Sequence, residues 1–250
     1  VFDNTIIIPT CYMNMAMECV ASLRPVTNLA RTEVLIVANG CKEDAQKLVV
    51  ELGPPFRLVL APERLGFTRA VNVGIAASQG KRVVLLNDDC KVLDWGGNWI
   101  EMLEEPFKDP TVAATGSTRD MWAPNKPFLV FFCTMVRKDL LLRFGLLDEC
   151  FNPGAGEDAD FCLKAQQAGY RVVQVPKEFG CWRSEFPIWH VGHITCGTLP
   201  NWNDIAVRNT AILEARYPRT QGDRDFQLAF SKGLQNHDAW AKQAVAKTNP

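Results

Sequence analysis

The chain has no surplus of either charge: 27 Lys and Arg stand against 28 Asp and Glu in 250 residues. Without a broad field it cannot hold a nucleic-acid backbone or an anionic membrane surface, so any anionic ligand must be met by local groups. Long apolar runs are missing too. The longest, Phe128 to Val136 (FLVFFCTMV), is about half of the roughly 20 residues that a spanning helix requires. The first residues lack a basic-then-apolar signal pattern, and a soluble chain with no transmembrane segment is predicted. Although there are nine cysteines, the number is odd, no CxxC pair occurs, and Cys19, Cys133 and Cys162 lie inside apolar segments. That argues against a disulfide framework and for reduced, structural thiols. The expected compartment is the cytoplasm, with peripheral membrane association compatible. A start at Val1 and a polar AKTNP end fit a piece of a longer protein.

What is present is enough apolar sequence, 47%, for one sizeable core, hence an α/β domain with a modest appendage. Short β-branched runs at Thr5 to Ile8, Glu33 to Val37, Phe56 to Leu60 and Arg82 to Leu86 alternate with helical patterns at Asn14 to Leu23, Glu43 to Leu52 and Thr68 to Ser78. This is the signature of βαβ units and a Rossmann-like, mainly parallel central sheet flanked by helices. Ligands of such sheets sit beyond the carboxyl ends of the strands. The second half is less regular, with strands expected at Val112 to Gly116, Phe128 to Val136 and Arg171 to Val175, and helices at Lys138 to Phe144 and Asp158 to Ala168. From Asn201 onward the pattern is helical and polar, with candidates at Asp204 to Tyr217 and Asp223 to Ala246.

Four segments carry chemistry. Leu85-Leu86-Asn87-Asp88-Asp89-Cys90 is an apolar strand ending in adjacent carboxylates, which suit either a hard divalent cation or a solvated turn. In Gly154-Ala155-Gly156-Glu157-Asp158, Asp158 falls near a helix N-terminus, where a carboxylate serves equally as a cap or as a base at the lip of a cleft. Trp189-His190-Val191-Gly192-His193 holds two of the three histidines. Imidazole can complete a carboxylate-bound metal site, although a histidine in an apolar run is also an ordinary core residue. Finally, Arg64 to Gly74 is a loop and helix start whose amides can face phosphate, or which simply packs a helix on the sheet.

In this order the segments resemble the inverting family 2 glycosyltransferases of GT-A fold, over roughly Asn4 to Thr195. Ile8-Pro9-Thr10 is similar to the family's opening strand and turn. Ala38-Asn39 stands where a nucleotide-contacting pair is found, and the stretch from Gly66 and Phe67 to Asn72 looks like the family's glycine, aromatic, alanine and asparagine segment. Asn87-Asp88-Asp89 stands where Asp-x-Asp is usual, as in members that handle rhamnose or furanose sugars. Glu157-Asp158 looks like the acceptor-side pair, and Trp189-His190 the place where galactofuranosyltransferases supply a histidine to the metal.

The resemblance implies a GT-A domain over residues 1–200, with a nucleotide-sugar half at 1–116 and an acceptor half at 117–200, followed by a helical C-terminal extension at 201–250. It implies a nucleotide-diphosphate sugar donor contacted by Pro9, Thr10, Asn39, Gly66, Phe67, Asn72, Asn87 and Asp88. Mn²⁺ or Mg²⁺ is expected on Asp89 and His190, with Asp158 as base, Glu157 orienting the acceptor, and a glycan or glycolipid as that acceptor. Two rivals stand beside it. A nucleotidyltransferase would carry a glycine-rich basic loop after the first strand, where this chain has Pro9-Thr10-Cys11-Tyr12. A catalytically silent carbohydrate- or partner-binding GT-A module would have no need of a base.

Overall fold

The computed structural model describes residues 2–41, 45–94, 99–175, 186–192 and 196–232. The first half is built from β1 (Asn4–Thr10), α1 (Met13–Leu23), β2 (Thr32–Asn39), α2 (Ala45–Leu52), β3 (Phe56–Ala61), α3 (Phe67–Ala77), β4 (Arg82–Leu86), β5 (Cys90–Val92) and α4 (Trp99–Glu104). There follow β6 (Val112–Gly116), β7 (Arg119–Ala123), β8 (Lys126–Leu129), β9 (Cys133–Arg137), α5 (Lys138–Phe144), α6 (Glu157–Gln167), β10 (Arg171–Gln174), β11 (Ile188–His190) and α7 (Trp202–Arg216). Seven strands form the central sheet in the order β10-β6-β9-β4-β1-β2-β3. All neighbours run parallel except β9, which is antiparallel to both β4 and β6. The expected α/β, mainly parallel sheet with flanking helices is what the chain adopts.

β1 is buried along its whole length, and its isoleucines divide between the two faces as the period of a strand requires. Ile6 and Ile8 pack with α1 (Met13, Ala16, Cys19, Val20, Leu23) and with Trp99 and Leu103 of α4. Ile7 packs with Ala70, Val71 and Ile75 of α3, and with Phe151, Phe161 and Leu213. A Cβ on Gly74 would lie 2.5 Å from Ile7 Cγ2, so the missing side chain is what lets α3 lie this close to β1.

The chain corrects the expected strand Phe128 to Val136. It is two strands: β8, paired in a separate two-stranded sheet with β7, and β9 in the central sheet. Between them Val130 N donates to Thr118 O at 3.0 Å, Phe132 N to Val130 O at 2.9 Å, and Asn87 N to Phe132 O at 2.9 Å. Phe131 goes to the core on one face of the sheet and Phe132 to the core on the other. An apolar run that serves two cores has no alternation to mark its break. The stretch Ser117 to Lys126, expected to be irregular, contains β7.

A second two-stranded sheet joins β11 antiparallel to β5 with Ile188 opposite Val92, Trp189 opposite Lys91 and His190 opposite Cys90. The polar tail read from Asn201 enters the core: Leu213 and Tyr217 join the α3 side. Residues 221–232 are also helical. Glu43, where a helix was expected to begin, His193, and the end of the helix expected to reach Ala246 lie outside the described residues. No helix among the described residues is long and apolar enough to cross a membrane.

Candidate active site

The chain moves outward from β1 to β2 and β3 and then returns to β4 on the other side of β1. The crevice at that reversal lies between the carboxyl ends of β1 and β4. There Thr10 Oγ1 donates to Asp88 Oδ2 at 2.6 Å. Burial pushes Asp88 up to about 6, against the pull of the Thr10 hydroxyl and with the push of the neighbouring Asp89 charge. Pro9, one residue earlier in β1, stands opposite Val37 of β2. On the rim, Arg64 lies over the Tyr12 ring at 5.4 Å and donates from Nη2 to the Tyr12 hydroxyl at 3.3 Å.

Asp89 and His190 meet. Asp89 Oδ1 lies 3.1 Å from His190 Nε2, and the two side chains are only 7% and 15% exposed. Gly192 N donates to Asp89 Oδ2 at 2.9 Å, and Asn87 Nδ2 lies 3.4 Å from His190 Nε2 across 103 residues of sequence. The imidazole stacks on Phe132, with centroids 4.1 Å apart and planes 10° apart. Burial raises Asp89, but the His190 ring and the Gly192 amide outweigh it and hold the carboxyl below its ordinary value.

This pair fits a divalent cation on two counts. Asp89 Oδ1 is buried without a well-directed hydrogen bond, which leaves a charged oxygen in need of a positive partner. The Asp89 oxygen and His190 nitrogen, 3.1 Å apart, are also close enough to face one ion, and both are ligand types that a divalent cation accepts. Cys90 Sγ completes a cluster whose ligand atoms all lie within 4.8 Å of one another. Its thiol, however, is wholly buried in the core, contacts Phe132 O at 3.6 Å, and is driven far up by burial. A protonated, soft ligand adds little to a site for a hard cation.

Glu157 and Asp158 open α6. Ala159 N donates to Asp158 Oδ1 at 2.7 Å, a bond to the next residue only; the cap position is Gly156, and no side chain caps the helix, so Asp158 is not its cap. Burial raises both carboxyls, Glu157 further because the Asp158 charge adds to it. The Ala159 and Phe131 amides oppose the rise at Asp158, while Asp120 reinforces it. Glu157 Oε2 is buried with no hydrogen-bond donor, so Glu157 keeps its proton while Asp158, the better solvated by amides, gives its own up first. Phe131 is the joint between the two ends of the site: its amide faces Asp158, and the next residue, Phe132, stacks on His190. The break in the apolar run thus contacts both the base candidate, through the Phe131 amide, and the candidate metal pair, through the Phe132 ring.

The remaining residues expected to contact the donor are held by internal bonds. Asn39 Oδ1 accepts from Leu65 N at 2.6 Å, and its Nδ2 donates to Gly66 O at 3.4 Å. Asn72 Nδ2 donates to Leu147 O at 2.8 Å and its Oδ1 accepts from Leu147 N at 3.0 Å. Phe67 N donates to Pro153 O at 2.7 Å, and Asn152 Nδ2 donates to Leu65 O at 2.8 Å. The loop before α3 is thus tied to the loop before α6, joining the two expected halves. Trp122 is buried, donates from Nε1 to Tyr217 O at 2.9 Å and carries Arg219 on its face, a packing role.

Sequence reading missed Asp120, which accepts from Met121 N at 2.7 Å and from Ser231 Oγ at 3.0 Å beside the acidic pair. No spacing rule marks it. Asn209, discussed below, was missed for the same reason.

The family model for glycosyl transferase family 2 matches residues 5–128, and the fold is that of the GT-A glycosyltransferases. A mannosyltransferase from Pyrobaculum calidifontis, solved with GDP-Man and Mn²⁺, superposes with a TM-score of 0.59 at 17% identity, covering 96% of this chain and 83% of that one. GalNAc-T7 with UDP, GalNAc and Mn²⁺ gives 0.60 at 16% identity, covering 71% and 43%. S. aureus TarS gives 0.53 at 17% identity, covering 71% and 59%. An uncharacterized protein, y4gI, from Sinorhizobium fredii is 24% identical over 212 residues, 69% of this chain. The chain spans 23% of that relative's length.

Proposed function

We propose that the chain is an inverting glycosyltransferase that moves a sugar from a nucleoside-diphosphate donor to an acceptor hydroxyl. The observation that carries this reading is the meeting of Asp89 and His190 at 3.1 Å beside the strand reversal, with Asp158 and His190 contacting the successive residues Phe131 and Phe132. The family match and the nucleotide-sugar and Mn²⁺ ligands of the similar structures support it.

Asp89 and His190 would hold Mn²⁺ or Mg²⁺, which supplies positive charge to the departing diphosphate. Asp158 takes the proton of the acceptor hydroxyl. The oxygen forms its bond to the anomeric carbon on the face opposite the breaking bond to the diphosphate, and the nucleoside diphosphate leaves with that electron pair. A single displacement of this geometry inverts the carbon, as it does in glycoside hydrolysis by opposed groups. Glu157, protonated, stays neutral and donates a hydrogen bond to the acceptor, so only one negative charge sits at the cleft. Thr10 and Asp88 line the donor side. One similar structure carries GDP-Man and another UDP with GalNAc, so hexose donors are the first to test.

The test is nucleotide release from a panel of nucleotide sugars with Mn²⁺, with and without EDTA and acceptor, together with Asp158→Asn. Metal-dependent release with the wild type and loss of about two to four orders of magnitude in the variant, with nucleotide binding kept, is the expected result. No release from any donor would favour a silent binding module.

A further inference from the structure

Residues 151–156 lead the chain into the acidic pair through an unusual backbone. Gly154, Ala155 and Gly156 have φ of +155°, +71° and +112° in succession. Ala155 is in the left-handed region that a residue with a Cβ rarely occupies, so surrounding contacts must hold it there. Those contacts come from α7, outside the segment matched by the family model. Asn209 is 1% exposed, and its Nδ2 donates toward three carbonyls, Phe151 O at 2.9 Å, Gly154 O at 2.8 Å and Ala155 O at 2.7 Å. Its Oδ1 accepts from Arg208 Nε at 2.8 Å, so the amide can point only one way. Arg208 Nη2 also donates to Asn152 O at 2.8 Å. One turn and more along the same helix, Arg216 Nη1 donates to Asp160 Oδ1 in the first turn of α6 at 2.8 Å.

We propose that Asn209 is a positioning residue for Asp158: by gathering the carbonyls of residues 151, 154 and 155 it sets the strained entry to α6 and thereby the aim of the base. The proposal rests on Asp158 being the base. The carbonyls gathered by Asn209 do not themselves bond the loop before α3; that tie runs through Asn152 Nδ2 and Pro153 O, which Asn209→Leu leaves in place, so its removal is expected to act on the chemical step rather than on nucleotide binding. A displacement of about 1 Å at the base is sufficient to cost roughly a hundredfold in rate.

The experiment is a double-mutant cycle on transfer, with Asn209→Leu and Asp158→Asn alone and together, plus nucleotide affinity and thermal unfolding for each. The expected result is a kcat about ten- to a hundredfold lower for Asn209→Leu, with donor affinity kept. The residual rate of Asp158→Asn should not fall further when Asn209→Leu is added, because a group that acts through another loses its effect once that other is gone. Wild-type kcat in Asn209→Leu, or the same fold loss in both backgrounds, would overturn the positioning role and leave the base assignment intact. Full activity in Asp158→Asn would overturn both. Should Asn209→Leu not fold, Arg208→Gln, at an exposed position, removes the bond that orients the Asn209 amide together with those to Asn152 O and, at 3.4 Å, Cys150 O. It is expected to lower kcat more mildly, again only when Asp158 is present, and an unchanged kcat there would overturn the proposal.

Discussion

Replacing Gly66 by alanine tests whether the loops before α3 and α6 are locked together through Asn152. Two costs arise. Gly66 has φ +85° and ψ 169°, an extended positive-φ region essentially confined to glycine, where a residue with a Cβ pays about 2 kcal/mol. The added Cβ would also stand 2.4 Å from Asn152 Oδ1, 2.7 Å from Nδ2 and 2.8 Å from Cγ, so the Asn152 side chain must leave. Its bond to Leu65 O at 2.8 Å goes with it, as does the weaker one from Arg69 N at 3.4 Å, at about 1 kcal/mol or less each. The sum is about 2–4 kcal/mol, or a fall in Tm of roughly 5–15 °C for a chain of this size. The assay is thermal or urea unfolding of G66A, N152A and the double variant. N152A alone should cost about 1–2 kcal/mol through the same lost bonds. In the G66A background it should cost almost nothing, because those bonds are already broken and the obstruction is gone. A double variant destabilised by the full sum of the two single changes would refute the locked contact. So would a G66A protein as stable as the wild type.

Three further outcomes follow from the site. His190→Ala should weaken Mn²⁺ binding by at least about tenfold, since even the outer partners of a metal ligand are worth that much; an unchanged titration would return His190 to a packing role against Phe132. The pH dependence of stability should change in Glu157→Gln. In the folded chain Glu157 keeps its proton above its ordinary value of 4.5, while the unfolded chain releases it, so the folded state binds more protons and wild-type stability falls as pH rises through that window. The Tm difference between Glu157→Gln and the wild type should therefore shift in favour of the variant as pH rises from 4.5, and a pH-independent difference would contradict the buried, protonated Glu157. Transfer itself should fade on the acid side as Asp158, also raised by burial, takes up its proton; a rate that holds level well into the ordinary carboxylate range would argue against that environment.

The sheet was legible because β1, β2 and β4 are apolar, β-branched runs separated by helical periods, and such alternation admits few arrangements. Asp158 was legible only as one of two things, since in sequence a carboxylate near a helix N-terminus reads equally as cap or base; folding puts Gly156, not Asp158, at the cap position. The pairing of Asp89 with His190 came from family resemblance, because no periodicity links residues so far apart. What escaped was long-range and polar. The break at Val130 to Phe132 hides in unbroken hydrophobicity, and Asn209 and Arg208 read as ordinary polar positions of a helix. Their carbonyl partners exist only once the loop before α6 has folded against them.

The three-residue strand β11 carries the imidazole by parity alone. His190 reaches Asp89 because it stands opposite Cys90, whereas Trp189, one step away, stands opposite Lys91 and projects to the other side of the ribbon. Length and identity are therefore constrained in opposite ways at this spot. Exchanging Ile188 for another β-branched residue leaves the parity untouched. A single deletion between Pro187 and His190 exchanges the imidazole for its neighbour's side and empties the cation cup without altering any ligand residue. Among sequences related to this one, a histidine aligned with His190 carries the same meaning only where the spacing from the start of its strand is preserved.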